Sequence, residues 1–289
     1  MGRKMKRKGV AKNIIVYVIL SVLLFFTCYP IVFLLVGSLK NLTELISNLK
    51  NILFSSEGYV TWSFLPRSPT LRHYVEVLLD SPGFFVMFWN TVKIVVGVLI
   101  GQLVVGVPAA WGFAKYTFAF KRIVFFMYVI LMVMPFQVRM VSEYLGLRNL
   151  SLLDTHGALI FPGAFSTFSV FIMYNFFSRV PDGIIEAARL DGANDWEIFW
   201  RIGIPLGSGG IFATMMLGFL EYWNLIEQPL TFLQTQSLWP LSLFSPEVTA
   251  ENIGIIFVSS IIALIPSMLV FLLGQEYLEA GIAATALKE

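Results

Sequence analysis

Residues 186–205 read EAARLDGANDWEIFWRIGIP and form a polar segment between two long apolar runs. The residues before Gly192 are good helix formers, and glycine is common just after a helix C-terminus. Asn194 and Glu197 have the spacing of a capping box, which predicts the start of a second helix. Proline is expected to stop that helix at Pro205. The stretch therefore predicts a helix, a glycine elbow and a second short helix.

The composition indicates a membrane protein. Of the 289 residues, 57% are hydrophobic and 13% are charged, about half the charged share of a typical soluble domain. Six apolar runs are long enough to cross a bilayer, at 13–36, 85–110, 123–141, 157–177, 206–226 and 253–273. We therefore expect an all-α integral membrane protein with six transmembrane helices, the first of them uncleaved and kinked at Pro30. The net charge of +2 does not suggest nucleic-acid binding.

The distribution of basic residues predicts the orientation. With both termini and the loops 111–122 and 179–205 in the cytoplasm, thirteen Lys and Arg lie inside and six outside, as the positive-inside rule requires. The segment 37–82 is then an external loop. Within it, residues 70–80 have the apolar spacing of a short amphipathic helix, on which His73 is expected to be a solvated surface residue.

No motif for catalysis, metal binding or nucleotide binding stands out. Cys28 is the single cysteine, and His73 and His156 are far apart in the chain. Residues 207–210 read GSGG, but no Gly-Lys-Ser/Thr follows, so we interpret them as small residues for close helix packing. The chain is therefore expected to be no enzyme and to hold no cofactor, and any ATP must bind another subunit.

The polar segment resembles the EAA loop of ABC importer permeases, in which Glu-Ala-Ala is followed by three residues, Gly, nine residues and Ile-x-Leu-Pro. The matching residues are Glu186, Ala187, Ala188, Gly192, Ile202 and Pro205, while Ile204 stands where the family has leucine. The resemblance implies the type I ABC importer permease fold and a coupling helix that docks on a separate ATPase. Glu186 offers an acceptor to a basic partner there.

Further short motifs resemble the carbohydrate branch of these permeases, the maltose-transporter type, and its second permease. They are Trp89-Asn90-Thr91, Met134-Pro135-Phe136-Gln137, Leu145-Gly146-Leu147, Trp223-Asn224, and the tail from Gln275-Glu276-Tyr277 to Gly281 and Lys288. Glu276 replaces the basic residue that the family usually has in its tail. The resemblance covers roughly residues 85–289 and implies a permease domain over 85–274, with its coupling loop at 179–205, and a cytoplasmic tail over 275–289. The apolar runs and the charges assign the cytoplasmic N-terminal tail, first helix and external loop to 1–84.

The resemblance also implies an assembly. Its members would be a second homologous permease, two ATPase subunits that bind ATP and Mg, and an external solute-binding protein delivering a carbohydrate. The chain would be a multi-pass protein of the bacterial plasma (inner) membrane, surrounded by lipid, with both termini in the cytoplasm. Two functions of other classes, an intramembrane enzyme and a passive channel, leave the EAA spacing unexplained.

Polar residues at membrane depth are the candidates for the substrate pathway, because such residues are costly in lipid and tend to face a cavity. The candidates are Asn90, Lys93, Arg139, Glu143, Glu221, Trp223 and Asn224. An acidic oligosaccharide would compete with Glu143 for the guanidinium of Arg139. Alternatively the substrate is a neutral oligosaccharide, and Arg139 and Glu143 are a structural pair.

Overall fold

The computed structural model describes residues 2–54 and 57–286, and their side chains except those of 2–12, 15 and 278–286. The described residues form fourteen α-helices and, apart from an isolated bridge between Lys40 and Pro69, no strand. The helices are α1 Gly2–Ser38, α2 Leu42–Leu53, α3 Arg72–Leu79, α4 Pro82–Gly101, α5 Val107–Lys115, α6 Lys121–Val133, α7 Phe136–Asn149, α8 Gly157–Ala164, α9 Thr167–Phe177, α10 Asp182–Leu190, α11 Asp195–Ile198, α12 Ile204–Trp223, α13 Glu227–Phe232 and α14 Ile253–Ala286. The predicted all-α class is confirmed.

The candidate membrane spans agree with the expected number. Five helical spans are long and apolar enough to cross a membrane: Val16–Ser38, Pro82–Lys115, Gly157–Phe177, Asp195–Trp223 and Ile253–Tyr277. The bent pair α6 and α7 makes a sixth when it is counted as one span. α1 already begins at Gly2 and runs unbroken through Pro30, and α14 continues through the tail to Ala286. Lys288 of the tail motif lies outside the described residues.

The third apolar run, 123–141, is not one continuous helix, because α6 and α7 meet at an angle of 109°. A proline forces the residue before it out of the helical conformation, and Met134 is extended with φ −68° and ψ 123°. Pro135 is also extended and is the N-cap residue that precedes α7. The chain therefore turns sharply at this point, which gives α7 a direction different from that of α6.

Pro205 does not stop the second helix of the polar segment, contrary to our expectation. The helix that starts at Asp195 continues to Trp223. Residues Phe199–Gly203 form a π-helical turn, and Pro205 lies in the first turn of α12. Pro205 lacks an N–H, and it lies just after the π-helical turn, where the regular α-helical hydrogen bonding is already interrupted. The polar segment is thus continuous with a candidate membrane span.

The glycines of the GSGG stretch allow α9 and α12 to approach closely. A Cβ atom placed on Gly207 would overlap the ring of Phe177, and one on Gly210 would lie 2.6 Å from Phe176 Cγ. Both Cβ positions are closer to the neighbouring ring than van der Waals contact allows, so a side chain at either glycine would push the helices apart. The interpretation of residues 207–210 as a packing surface is confirmed.

The described chain divides into two compact units, residues 1–82 with 245–262, and 83–244 with 263–289. In the first unit, α1, α2 and the beginning of α14 pack around Leu45, Leu49, Ile253 and Phe257. The sequence had not predicted α2. Its neighbour Lys40 is fully buried, with Nζ 3.7 Å from the centre of the Trp62 ring.

The two buried charged residues in the described part of this unit, Lys40 and Glu44, are paired with each other. Lys40 Nζ lies 3.5 Å from Glu44 Oε1 and donates to the hydroxyl of Ser63 at 3.1 Å. Glu44 also accepts from the Ser63 hydroxyl and from the backbone N–H of Arg67. Because a buried charge without a partner is strongly destabilising, these contacts explain how the loop tolerates a buried ammonium group. They connect α2 with residues 63–67.

The amphipathic helix expected over 70–80 exists as α3, but the prediction of a solvated His73 is wrong. His73 is 3% exposed, and its Nδ1–H donates to Glu76 Oε2 at 3.0 Å. Gly254 makes room for the ring, since a Cβ atom there would overlap it. The buried face of α3 is formed by His73 and Val77, whereas the apolar side chains of the predicted amphipathic stripe, Leu71, Val75, Leu78 and Leu79, are exposed.

Candidate coupling and translocation sites

The elbow of the polar segment is built as its glycine predicts. Gly192 has φ +89°, in the left-handed region that glycine adopts without strain. The N–H of Gly192 donates to the Arg189 carbonyl, and the N–H of Ala193 donates to the Ala188 carbonyl, both at 3.0 Å. These two bonds are the pattern of a Schellman motif, which closes a helix C-terminus. The elbow therefore holds α10 at a defined angle to α11.

The start of the second helix also matches the prediction. The Asn194 side chain accepts from the Glu197 N–H at 2.9 Å, and the Glu197 side chain accepts from the Asn194 N–H at 3.0 Å. This reciprocal pair is the predicted capping box. Arg189 Nη2 and Asp195 Oδ1, 3.1 Å apart, join the two helices across the elbow.

One face of the segment packs against the ends of the spans. Ile185 on α10 and Ile198 on α11 are buried in a cluster with Trp111 on α5 and Phe177 on α9. The Trp111 and Phe177 rings meet edge to face, with their centres 5.4 Å apart. Apolar contacts of this kind attach the loop to the second and fourth spans, so the loop is part of the permease core rather than a tether.

Most of the rest of the segment is exposed and unusually apolar for a surface loop. Glu186 and Ala187 are exposed, as is Leu190, which is 90% exposed. Trp196 and Trp200 are more than half exposed. Large exposed aromatic and aliphatic side chains are typical of a protein interaction surface. We call Glu186, Ala187, Leu190, Trp196 and Trp200 the coupling face.

Two other residues of the EAA spacing lie in the membrane-proximal part of the segment. Ile202 is partly buried in the π-helical turn, and Pro205 is exposed in the first turn of α12. Ala188 packs against the apolar cluster from the side of α10. Of the EAA residues, Glu186 and Ala187 are therefore exposed, whereas Ala188 and Ile202 belong to the partly buried part that positions them.

A lysine that the sequence analysis did not single out ties the second span to this loop. Lys115 is the last residue of α5, and its Nζ donates to the Val180 carbonyl and, at 2.7 Å, to Asp182 Oδ1. The Lys115 hydrogen bond, and then its charge, hold the pKa of Asp182 below the usual value. The sequence indicated this ion pair only weakly. Lys115 is a basic residue at the end of an apolar run, and Asp182 is an acidic residue directly after Pro181.

A cavity of about 710 Å³ lies among α6, α7, α8, α9 and α12. Its polar lining includes Arg139, Ser142, Glu143, Ser166, Glu221 and Gln228. Arg139 Nη1 and Glu143 Oε1 are 2.8 Å apart, and Nε of Arg139 is buried without a hydrogen-bond partner among the described residues. The bend at Met134 is what turns α7 so that these side chains face the cavity. Three of the seven pathway candidates, Arg139, Glu143 and Glu221, thus come together.

The other four candidates are not among the residues that line this cavity. Asn90 is buried and donates to the carbonyls of Ser237 and Trp239, at 2.7 and 3.1 Å. Trp223 is buried as well, and its Nε1 donates to the Ala263 carbonyl at 3.0 Å. The remaining two are exposed: Lys93 on α4, and Asn224, whose amide donates to the Leu220 carbonyl. Asn90 therefore holds the backbone of residues 237–239, and Trp223 holds the backbone at Ala263.

The segment between the fifth and sixth spans is fastened by residues that the sequence did not reveal. Thr91 accepts from the Leu241 N–H at 2.7 Å, and His156 Nε2 donates to the Leu238 carbonyl at 3.1 Å. Asp154 accepts from the Thr235 hydroxyl and from two backbone N–H groups. The hydrogen bonds from Thr235, hydroxyl first, lower the pKa of Asp154. Together these bonds hold residues 234–241 beside α4 and α8.

A multi-span helical protein with a polar cavity among its spans has the architecture of a membrane permease. The family described as "Binding-protein-dependent transport system inner membrane component" matches residues 102–284. The chain belongs to this family. It is therefore a multi-pass inner-membrane permease of an ABC importer, a transport component rather than an enzyme, and it works with an ATPase and a substrate-binding protein.

Individual relatives agree with this assignment. The arabinooligosaccharides transport system permease protein AraQ of Halalkalibacterium halodurans is 24% identical over 91% of this chain and 92% of its own length. A probable ABC transporter permease protein of Pyrococcus horikoshii is 31% identical over 76% of this chain and 82% of its own. The fold matches the crystal structure of a bacterial ABC transporter that imports the acidic polysaccharide alginate, with a TM-score of 0.77, 23% identity and coverage of 92% and 95%.

Proposed function

We propose that this chain is one of two permease subunits of an ATP-driven oligosaccharide importer, and that the coupling face docks on an ATPase. The observation that carries the proposal is the elbow, which presents Glu186 and exposed apolar side chains on one face while its other face packs into the spans. A force on the coupling face would therefore reach the cavity-lining helices. ATP and Mg would bind the ATPase, and a second permease would complete the pathway.

Support for a carbohydrate substrate comes from the relatives. Besides the arabinooligosaccharide permease, they include a lactose permease of Rhizobium radiobacter, 25% identical over 93% of this chain. They also include sn-glycerol-3-phosphate permeases, which are 26% identical over 70% of it. The arabinooligosaccharide and lactose permeases cover 91% and 93% of this chain, more than the sn-glycerol-3-phosphate permeases do. A polar cavity with carboxylates and an arginine suits hydroxyl-rich solutes.

The charge of the cavity favours a neutral oligosaccharide over an acidic one. Its described lining holds one guanidinium, Arg139, and two carboxylates, Glu143 and Glu221. An anionic sugar would have to displace Glu143 from Arg139 and would still face the charge of Glu221 at low dielectric. Carboxylates instead accept hydrogen bonds from neutral hydroxyl groups. The alginate transporter shares the fold, and at 23% identity that likeness carries no argument about substrate.

A reconstituted importer tests both the function and the substrate class. We expect the chain to co-purify with an ATPase whose hydrolysis is stimulated by a neutral oligosaccharide and its binding protein. Glu221→Gln should lower uptake of the neutral sugar about tenfold, the effect of one or two lost hydrogen bonds to a charged group. Glu57→Gln, on an exposed loop residue, is the control for the loss of one negative charge.

Two outcomes of this experiment would contradict the proposal. Purification without an ATPase, or hydrolysis that no oligosaccharide stimulates, would remove the importer function. Stimulation by an acidic oligosaccharide alone, with its uptake increased in Glu221→Gln, would leave the importer function in place and replace the neutral substrate by an acidic one.

We further infer that both termini and the coupling loop lie in the cytoplasm and that residues 39–81 lie outside. Tyr59 is 95% exposed, and Thr117, between α5 and α6 and outside the coupling face, is also exposed, so a cysteine at either position is accessible to reagents. In spheroplasts with Cys28→Ser, Tyr59→Cys should react with an impermeant maleimide. Thr117→Cys should react only after permeabilisation. The reverse labelling pattern would invert the orientation.

A further inference from the structure

The coupling loop has covalent connections to only two of the spans around it. α10 follows α9 through residues 178–181, and it leads through α11 into α12. The second span, α4 with α5, is reached only through side-chain contacts, of which Ile185 and Ile198 against Trp111 are the apolar part. If ATPase docking moves α10, as proposed above, the second span follows only as far as those contacts hold it.

The space between α10 and the second span is incompletely filled. A cavity of about 190 Å³ lies there, lined by Trp111 and Lys115 on one side and by Ile185, Glu186 and Arg189 on the other. The indole Nε1 of Trp111 is buried without a partner among the described residues. Close-packed interiors transmit displacement, whereas a gap permits one element to move without its neighbour. The gap therefore leaves α10 room to shift relative to α5, although Ile185, Ile198 and Trp111 share one apolar cluster.

Lys115 bridges this gap. Its side chain is 8% exposed, and its ammonium group donates both to the Val180 carbonyl, just before α10, and to Asp182 in the first turn of α10. The two acceptors flank Pro181, which has no N–H and a fixed φ. One ammonium group thus joins the end of the second span to the rigid start of α10. Charge-assisted bonds of this kind are stronger than neutral ones.

We propose that Lys115 is a positioning residue that makes the second span move with the coupling helix. While both bonds are intact, displacement of α10 pulls the end of α5 with it. Without the ammonium group, α10 shifts into the cavity and the second span stays behind. ATP is then hydrolysed with less movement of the translocation pathway. This inference rests on the proposed coupling function. It concerns how much transport accompanies each ATP hydrolysed, not whether the ATPase binds the loop.

The test uses the complete importer in liposomes and measures sugar uptake per ATP hydrolysed. Lys115→Met keeps the buried stem and removes both hydrogen bonds. We expect uptake per ATP to fall about tenfold, within the usual range of coupling free energies between sites, while substrate-stimulated hydrolysis continues. Asp182→Asn, at an exposed position, keeps the hydrogen bond from Lys115 to the Val180 carbonyl. It should lower uptake per ATP less than Lys115→Met does. Lys115→Arg retains the charge and should preserve most of the coupling.

Lys121→Met is the matched control, because Lys121 donates to the Tyr116 carbonyl in the neighbouring loop. Lys121→Met should leave sugar uptake per ATP unchanged. The inference is overturned if Lys115→Met keeps the wild-type ratio. It is also overturned if hydrolysis and uptake fall in parallel with thermal stability, because that is the result of a purely structural role. Asp182→Asn answers the question if Lys115→Met does not fold: a wild-type ratio in that variant also rejects the inference.

The same preparation separates this inference from the coupling function. If Glu186→Lys loses stimulated hydrolysis while Lys115→Met remains fully coupled, only the role of Lys115 fails. If Glu186→Lys also has no effect on stimulated hydrolysis, the proposal that the loop docks on an ATPase is rejected.

Discussion

A permease with Gly192→Val should insert into the membrane and still lose most substrate-stimulated ATP hydrolysis and uptake. Gly192 has φ +89°, and a β-branched residue is strongly disfavoured there. The strain is of the order of 1–3 kcal/mol for one residue, enough to open the Schellman turn and swing α10 away from α11. Glu186 and Leu190 would then no longer share a surface with Trp196. Reconstituted hydrolysis with binding protein and sugar is the measurement.

A pair of alanine substitutions isolates the backbone effect. A Cβ atom at Gly183 or at Gly192 would meet nothing within 4 Å, so neither position is crowded. The two glycines differ in that Gly192 alone has a positive φ among them. Gly183→Ala should therefore keep full coupling, whereas Gly192→Ala should lose part of it. Equal activity in both variants would show that the elbow geometry is not needed for coupling.

Gly207→Ala should strongly destabilise the protein. The added methyl group would overlap the ring of Phe177, and the two residues belong to helices that cross inside the membrane region. Overpacking of this kind costs about 1–3 kcal/mol, because the helices must separate or the ring must leave its rotamer. Unfolding in mixed micelles, followed by circular dichroism during an SDS titration, measures the loss of stability.

Gly112→Ala is the matched control, since it also adds a methyl group to a glycine within a span. Nothing lies within 4 Å of its Cβ position, and alanine favours a helix over glycine by about 1 kcal/mol. That variant should be as stable as the wild type or more so. Phe177→Leu combined with Gly207→Ala should recover part of the loss. Two glycine variants of equal stability would refute close packing of α9 and α12.

Local signals in the sequence were sufficient for the elements whose geometry involves a few neighbouring residues. The capping box of Asn194 and Glu197 and the left-handed Gly192 follow from residue type and spacing, because their hydrogen bonds close within one turn. The lengths of the spans follow from the apolar runs. The family assignment also follows from the sequence, since the EAA spacing and the short motifs are linear patterns.

Errors arose where one local rule competed with another. Proline at 205 was expected to end a helix, and after the π-helical turn it begins one instead. The apolar run that contains Pro135 gave no indication of the 109° bend between α6 and α7. His73 was assigned to the exposed face of α3, and it is buried because Glu76 binds its ring and Gly254 leaves space for it.

The sequence by itself determined the class of protein, the spans and the local form of the coupling loop. The tertiary structure alone decided which distant residues meet. It brings Glu221 to the cavity of Arg139 and Glu143, and it assigns Asn90 to the support of residues 237–239. It also places Lys115 against the start of the coupling helix. The physical reason is that contacts between spans depend on how helices bend and pack, and these are properties of several segments at once.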